Sequence, residues 1–258
     1  MSLRDVAEVI TAPSVDALND RLSVDVAELL QDALSKRGCA HVAVSGGSFA
    51  TRALPVIIAE ANTRGVGFAA VHIWFADERF VEADSPDRSV LAVTEALRSA
   101  HGFTPSNLHA IPGCDTALSP DQAASEYERT LRESTMPHND SGVPILDLAL
   151  LGMGPDGHTA SLFPGMLPCE TDLIAPVTGS PKPPSDRVTM TFTMLNASRH
   201  SWIYATGSSK QDALTRAFDC DSAQDCPASA VRAQESVRLY ADLDAVPEAV
   251  HSEANIRR

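Results

Sequence analysis

No apolar run in this chain of 258 residues approaches the roughly 20 residues that a membrane-spanning helix requires. The N-terminal stretch MSLRDVAEVITAP is charged where a secretory leader has its apolar centre, so the chain reads as cytosolic. Basic residues are also scarce. Twenty Lys and Arg against 34 Asp and Glu leave a formal net charge of -14, which argues against nucleic-acid or anionic-membrane partners. A phosphorylated ligand would therefore need a locally basic pocket. Cysteines form no C-x-x-C pair: Cys39, Cys114, Cys169, Cys220 and Cys226 are five, an odd number. That pattern favours reduced thiols over a disulfide framework or a zinc site, and no metal is expected. Internal repeats, heptads and low-complexity blocks are missing too, which excludes solenoids and coiled coils.

What is present is core. Hydrophobic residues make up 44% of the chain, enough for one large α/β domain without staples. Strand-like segments at residues 6–11, 40–45, 71–76, 108–111, 145–151, 188–193, 202–205 and 237–240 alternate with helical patterns at 18–38, 49–63, 87–100, 120–136 and 209–218. The first helical pattern is carried by Leu18, Leu22, Val26, Leu29, Leu30 and Ala33 and stops at Gly38. Such alternation predicts a Rossmann-like, doubly wound, mostly parallel sheet with helices on both faces. Residues 164–186 hold six prolines and two glycines and read as an irregular surface loop. With no linker in the pattern, residues 1–258 are expected to form a single domain, and the oligomeric state stays open, a monomer being compatible.

Ligands of open parallel sheets bind beyond the carboxyl ends of the strands, so the residues just after each strand are the candidates. After the second strand, Ser45-Gly46-Gly47-Ser48 exposes backbone N–H groups at a helix start, a setting that attracts anions. After the third come Asp77, Glu78 and Arg79, of which Arg79 suits phosphate through its forked donors. After the strand at 145–151 the chain reads LGMGPDGHTASLFPG, residues 151 to 165.

This last run satisfies G-x-G-x-x-G through Gly152, Gly154 and Gly157, nominally a dinucleotide fingerprint. Its contents argue otherwise. Pro155 removes an N–H donor, Asp156 puts a carboxylate where a pyrophosphate would lie, and Pro164-Gly165 leaves too few residues for a crossover helix. The better reading is an acid–base pair. His158 stands two residues beyond a carboxylate at the start of a short expected helix, whose dipole favours the neutral imidazole of a general base, and Asp156 either orients it or caps that helix. The other histidines, among them His41, His72, His109, His200 and His251, have no comparable motif.

Four segments in order, VSGGSFATRAL at 44–54, FADERFVEADSPDRS at 75–89, LGMGPDGHTASLFPG at 151–165 and DRVTMTFTMLNAS at 186–198, resemble the 6-phosphogluconolactonase family. The family shares its Rossmann-like fold with the glucosamine-6-phosphate deaminase/isomerases. The resemblance implies hydrolysis of 6-phospho-D-glucono-1,5-lactone to 6-phosphogluconate without a cofactor, in the oxidative pentose phosphate pathway. It implies His158 as the base and Asp156 as its orienting partner. It further implies a phosphate grip by Arg79, Arg187 and Lys210, with Ser45 and Ser48 nearby. Oxyanion stabilisation would fall to N–H groups around Gly46-Gly47 or at Gly154, between which sequence does not choose. The chain departs from the family pattern at Phe49-Ala50, where Thr-Pro is common, and at Ser89, where asparagine is usual.

Three other functions fit less well. A deaminase/isomerase needs a glutamate shortly after the histidine, where this chain has Leu162-Phe163-Pro164. A sugar-phosphate sensor that regulates transcription needs a DNA-binding module, and the strand–helix unit begins at Val6. A serine hydrolase of the α/β type needs G-x-S-x-G, which is absent from the sequence.

Overall fold

A computed structural model describes residues 2–169, 171–219, 222–247 and 256–257. Cys220 and His251 therefore lie outside the described residues. After a single helical turn, α1 (Leu3–Val6), strand β1 (Ala7–Ala12) leads into the long helix α2 (Val15–Arg37). Ser14 starts α2 by accepting from Ala17 N at 3.2 Å, and Gly38 ends it at φ 76°, a left-handed conformation that costs glycine little. Strand β2 (Ala40–Val44) is followed by a π-helical turn over Phe49–Ala53 and then by α3 (Leu54–Thr63). Pro55 is tolerated because it falls in the first turn of α3, where its missing N–H is not needed.

Strand β3 (Val71–Phe75) is followed by β4 (Asp77–Arg79), α4 (Ser89–Leu97), β5 (Leu108–His109), α5 (Pro120–Arg132) and β6 (Leu148–Gly152). Then come β7 (Ile174–Val177), β8 (Arg187–Met190), α6 (Phe192–Leu195), β9 (His200–Ala205), α7 (Gln211–Asp219), β10 (Ser236–Asp242) and β11 (Ile256–Arg257). Eight strands form one sheet in the order β11-β1-β10-β9-β6-β2-β3-β5, and every pair in it is parallel. This is the doubly wound α/β architecture that the alternation predicts.

Two features go beyond the expected alternation. The triplet Asp77-Glu78-Arg79 is itself a strand, β4, paired antiparallel with β8 through Asp77–Thr189, Glu78–Val188 and Arg79–Arg187. The proline-rich stretch is not wholly irregular, because β7 lies inside it and joins β8 to complete a second, three-stranded sheet. Pro176 is accommodated since β7 is an edge strand, where one N–H can be missing. Among the described residues no helix is long and apolar enough to cross a membrane.

The connection order fixes where a ligand can bind. From β2 the chain moves outward to β3 and β5, then returns to lay β6 on the other side of β2 and continues through β9 and β10. The direction of winding reverses between β2 and β6, and such a switch point opens a crevice at the carboxyl ends of the strands.

Away from that crevice, His41 on β2, His72 and Trp74 on β3, and His109 on β5 form a stack. Ring centroids are 4.6 Å apart for His41–His72 and 3.7 Å for Trp74–His109, and His72 Nδ1 lies 3.0 Å from His109 Nε2. Trp74 Nε1 donates to His41 Nδ1 at 3.2 Å, which requires that nitrogen unprotonated. Burial, then the neighbouring imidazoles, push His41 down to about 3 and His109 down to about 4. Both values lie below the roughly 6.5 of an unfolded histidine. The unfolded chain therefore binds protons that the native state refuses, and stability falls as pH drops below about 6.5, levelling off beneath the folded values. Replacing His109→Phe should shrink the stability loss between pH 7 and pH 5 by roughly 1 kcal/mol, allowing for partial exposure. Urea unfolding at the two pH values measures it, and an unchanged pH dependence would refute the account.

Candidate active site

Four adjacent strand ends, those of β3, β2, β6 and β9, surround a cleft of about 190 Å³. Ser45, Gly46, Gly47, Ser48, Asp77, Arg79, His158, Arg187 and Lys210 all line it, together with Ser89, Tyr204 and Thr206. Asp156 and Glu78 stand outside this lining, and Asp156 contacts His158.

At the end of β2, Ser45 N donates to Leu150 O at 3.0 Å, which prolongs the β2–β6 pairing to the cleft floor. Its hydroxyl is buried and has no partner among the described residues. Gly46 is required by space, since a Cβ there would lie 1.9 Å from Ser89 Oγ. Gly47 is required by conformation, at φ 66°. Among the described residues the N–H groups of Gly46 and Gly47 meet no protein acceptor, so they are available to a ligand oxygen.

The end of β6 folds back on itself. Gly154 N donates to His158 O at 2.8 Å, Gly157 N donates to Gly154 O at 3.0 Å, and Thr159 Oγ1 donates to Gly152 O at 3.0 Å. No helix follows His158, contrary to the sequence expectation. The His158 carbonyl that would accept the first helical hydrogen bond is already taken by Gly154, and the chain continues as the short bridges Thr159–Leu162 and Phe163–Met166. His158 therefore starts no helix of its own, and Asp156 is not a helix cap.

Asp156 instead works on the imidazole. Its Oδ1 lies 2.5 Å from His158 Nδ1, so that ring nitrogen donates and Nε2 is left as the acceptor. A third group completes the cluster: Lys182 Nζ sits 3.1 Å from Asp156 Oδ1 and 3.1 Å from His158 Nδ1. Burial pushes the Asp156 carboxyl up, but the hydrogen bonds and charges of His158 and Lys182 outweigh it and hold the group well below the usual carboxylate range. The imidazole leans on Phe163, ring centroids 4.7 Å apart, and Arg187 covers the same ring with its Cζ 5.6 Å from the centroid.

The cations differ in how much of them is available. Glu78, buried, accepts from Arg79 N at 2.8 Å, Ser89 N at 2.9 Å and Val90 N at 2.9 Å, which fixes both β4 and the start of α4. Among the described residues the Arg79 guanidinium is anchored through Nη1 alone, to Asp87 O at 2.5 Å. Lys210 lines the cleft with its proton held less firmly than usual, chiefly from burial and then from Lys182, against the pull of Asp156. Arg187 is different. Its Nε donates to Pro184 O and Ser180 Oγ, and its Nη2 to the carbonyls of Lys182 and Pro183. Asp77 is likewise occupied, its Oδ2 accepting from Ser161 Oγ at 2.6 Å.

A parallel sheet with a glycine turn of uncommitted N–H groups, cations and an oriented imidazole at its switch point has the donors and charges to hold a small phosphorylated molecule. More narrowly, the chain belongs to the family of glucosamine-6-phosphate isomerases/6-phosphogluconolactonase, whose sequence pattern matches residues 13–240. It is 37% identical to the 6-phosphogluconolactonase of Rattus norvegicus over 201 residues, covering 76% of this chain and 75% of that one. A probable 6-phosphogluconolactonase of Schizosaccharomyces pombe is 35% identical over 214 residues, covering 80% and 81%. The crystal structure of 6-phosphogluconolactonase from Thermotoga maritima superposes with a TM-score of 0.75 at 26% identity, covering 91% of this chain and 99% of that one.

Lys182 is the member of the cluster that the sequence reading missed. Its one signal is a lysine set between Pro181 and Pro183, a stiff segment with a charge in it, immediately before β8. The glycine turn supplies a direct test of the Asp156–His158 geometry. A Cβ at position 154 would lie 2.0 Å from His158 Nδ1 and 2.5 Å from Asp156 Oδ1, so Gly154→Ala must push the pair apart. The far-downfield imidazole proton resonance of the Asp–His hydrogen bond should vanish in this variant. Its persistence at the wild-type position would show that the pair does not depend on this close approach.

Proposed function

We propose that the chain is a 6-phosphogluconolactonase, hydrolysing 6-phospho-D-glucono-1,5-lactone to 6-phospho-D-gluconate in the oxidative pentose phosphate pathway. The observation that carries this reading is the Asp156–His158 hydrogen bond at the mouth of a cleft lined by cations, in a chain of this family. A lactone has an electrophilic carbonyl and an alkoxide leaving group in one ring, so its hydrolysis balances with water alone and calls for no cofactor.

His158 Nε2 takes a proton from water as the water oxygen bonds to the lactone carbonyl carbon. The carbonyl oxygen becomes an oxyanion. When it collapses, the bond to the ring oxygen breaks and the imidazolium returns the proton to that oxygen, which leaves as the hydroxyl of the open-chain acid. Asp156 fixes the tautomer throughout and stabilises the imidazolium. The N–H of Gly154 is committed to His158 O, so the backbone donors that remain for the oxyanion are those of Gly46 and Gly47.

The phosphate goes to Arg79 and Lys210, with Ser48 alongside, and the unpartnered Ser45 hydroxyl is placed for a substrate oxygen. Arg187 and Asp77 border the same cleft, with their strongest hydrogen bonds already directed into the protein. Holding the phosphate away from the carbonyl lets remote binding energy orient the ring. Every group in this scheme comes from one chain, compatible with a cytosolic monomer of one domain, residues 1–258.

The isomerase branch of the family is disfavoured by Phe163. It packs against the imidazole within Leu162-Phe163-Pro164, the stretch where the resemblance to the isomerases calls for a glutamate. A monomeric glucosamine-6-phosphate deaminase at 19% identity shares the fold, with a TM-score of 0.74.

The lactone also opens unaided, so the assay generates it in place and follows 6-phosphogluconate above the blank. Wild type should accelerate its formation strongly, and no acceleration would defeat the reading. His158→Ala should lower kcat at least about a hundredfold while 6-phosphogluconate still binds, consistent with the usual worth of a general base. Near-normal turnover would remove His158 as the base. Arg79→Ala should raise KM about tenfold or more with kcat less affected, and an unchanged KM would exclude Arg79 from the phosphate grip.

A further inference from the structure

Lys182 reaches the catalytic pair from a segment that is unusually well fixed. Three prolines, Pro181, Pro183 and Pro184, limit its backbone freedom. Ser180 Oγ donates to Lys182 O at 2.7 Å, and Arg187 binds three successive carbonyls: Lys182 O at 3.2 Å, Pro183 O at 3.3 Å and Pro184 O at 3.0 Å. A buried guanidinium thus buckles the strap, and the strap delivers one ammonium to Asp156 Oδ1.

A direct phosphate role suits Lys182 poorly. It is absent from the cleft lining that includes Lys210, and its charge is balanced by the Asp156 carboxylate. Its contact with His158 Nδ1 is also not a hydrogen bond in the working tautomer, because both nitrogens are donors converging on the same carboxylate oxygen.

We propose that Lys182 is a positioning residue: it clamps the Asp156 carboxylate against the imidazole and sets a fixed positive charge beside His158 Nδ1, opposing the negative charge of Asp156. The proposal rests on the lactonase reading above and deepens it. The two charges beside His158 act in opposite directions. Asp156 favours a positive charge on the ring and Lys182 opposes it. Lys210, at the start of α7, adds to the positive side from the cleft, and Arg187 does so from behind Phe163. Across the cleft on β4, Arg79 and Asp77 face the site with opposite signs, and Arg216 of α7 donates to Pro155 O at 3.4 Å.

Removing the Lys182 charge leaves Asp156 unopposed, so His158 protonates at higher pH and the base form is lost sooner on acidification. Lys182→Met should move the acidic limb of the kcat/KM profile upward by about one pH unit, as expected for one charge at hydrogen-bond distance. Activity one unit below the wild-type midpoint should then fall up to about tenfold. Lys182→Arg, which keeps the charge, should restore the wild-type limb.

An NMR titration of the His158 imidazole in the unliganded protein should show the same upward shift in Lys182→Met. That readout does not depend on which substrate is turned over, so it separates failure of this proposal from failure of the lactonase reading. An unmoved imidazole titration, or a KM increase with the acidic limb unmoved, would overturn the positioning role.

Discussion

Everything at the cleft depends on one pairing, that of β2 with β6. Val42, Ala43 and Val44 lie in parallel register with Leu148, Ala149 and Leu150, although more than a hundred residues separate them along the chain. Both strands are buried, so the register is set by packing on two faces and by hydrogen bonds that run one residue further, from Ser45 N to Leu150 O. That last bond brings two glycine turns side by side. One presents free N–H groups and the other presents a histidine, and no local sequence preference would bring them together.

The β6 turn has the spacing of a dinucleotide loop and uses it for a different purpose. In a phosphate cradle, glycines let a ligand approach the backbone. Here the space that Gly154 leaves is filled by the chain's own imidazole and carboxylate, close enough that even a methyl group would collide with both. The absence of a helix after His158 belongs to the same design. A helix start would pull the chain away from the strand ends, whereas the Gly154–His158 backbone bond folds it back over the sheet and leaves the orientation of the ring to a side chain. Control of the imidazole thus passes from a helix dipole, which the sequence suggests, to a discrete pair of opposite charges.

Legibility followed the range of the interactions involved. The alternation of strands and helices, the glycine turns and the Asp156–His158 spacing are local, and each could be read from a few neighbouring residues. Gly38 marked the end of α2 for the same reason, whereas the helix starts at Val15, ahead of Leu18 where the apolar pattern begins. β4 and β7 were missed because neither is a strand by its own composition. Three charged residues and a segment containing a proline become strands only when β8 lies between them. Lys182 was missed for a related reason: its partner Asp156 is 26 residues away, and the link exists only because Arg187 gathers the proline strap.

Arg187 ties the cleft to the proline strap. An arginine at a strand end beside a basic pocket invites a phosphate assignment, and the side chain does border the pocket. Its donors, however, run mainly to main-chain carbonyls of the strap, and burial weakens its hold on its proton, with Asp77 opposing that effect. Besides these bonds, Nη1 makes a 3.5 Å contact with Ser161 Oγ and lies 4.0 Å from Asp77 Oδ2, so the guanidinium keeps donor capacity for a ligand oxygen. Its ring contact with Phe163, which in turn supports His158, places it between the strap and the imidazole. The overall charge of -14 fits the same division of labour. Within a chain that is acidic overall, cations gather at the cleft: Arg79, Arg187 and Lys210 line it and Lys182 stands beside Asp156.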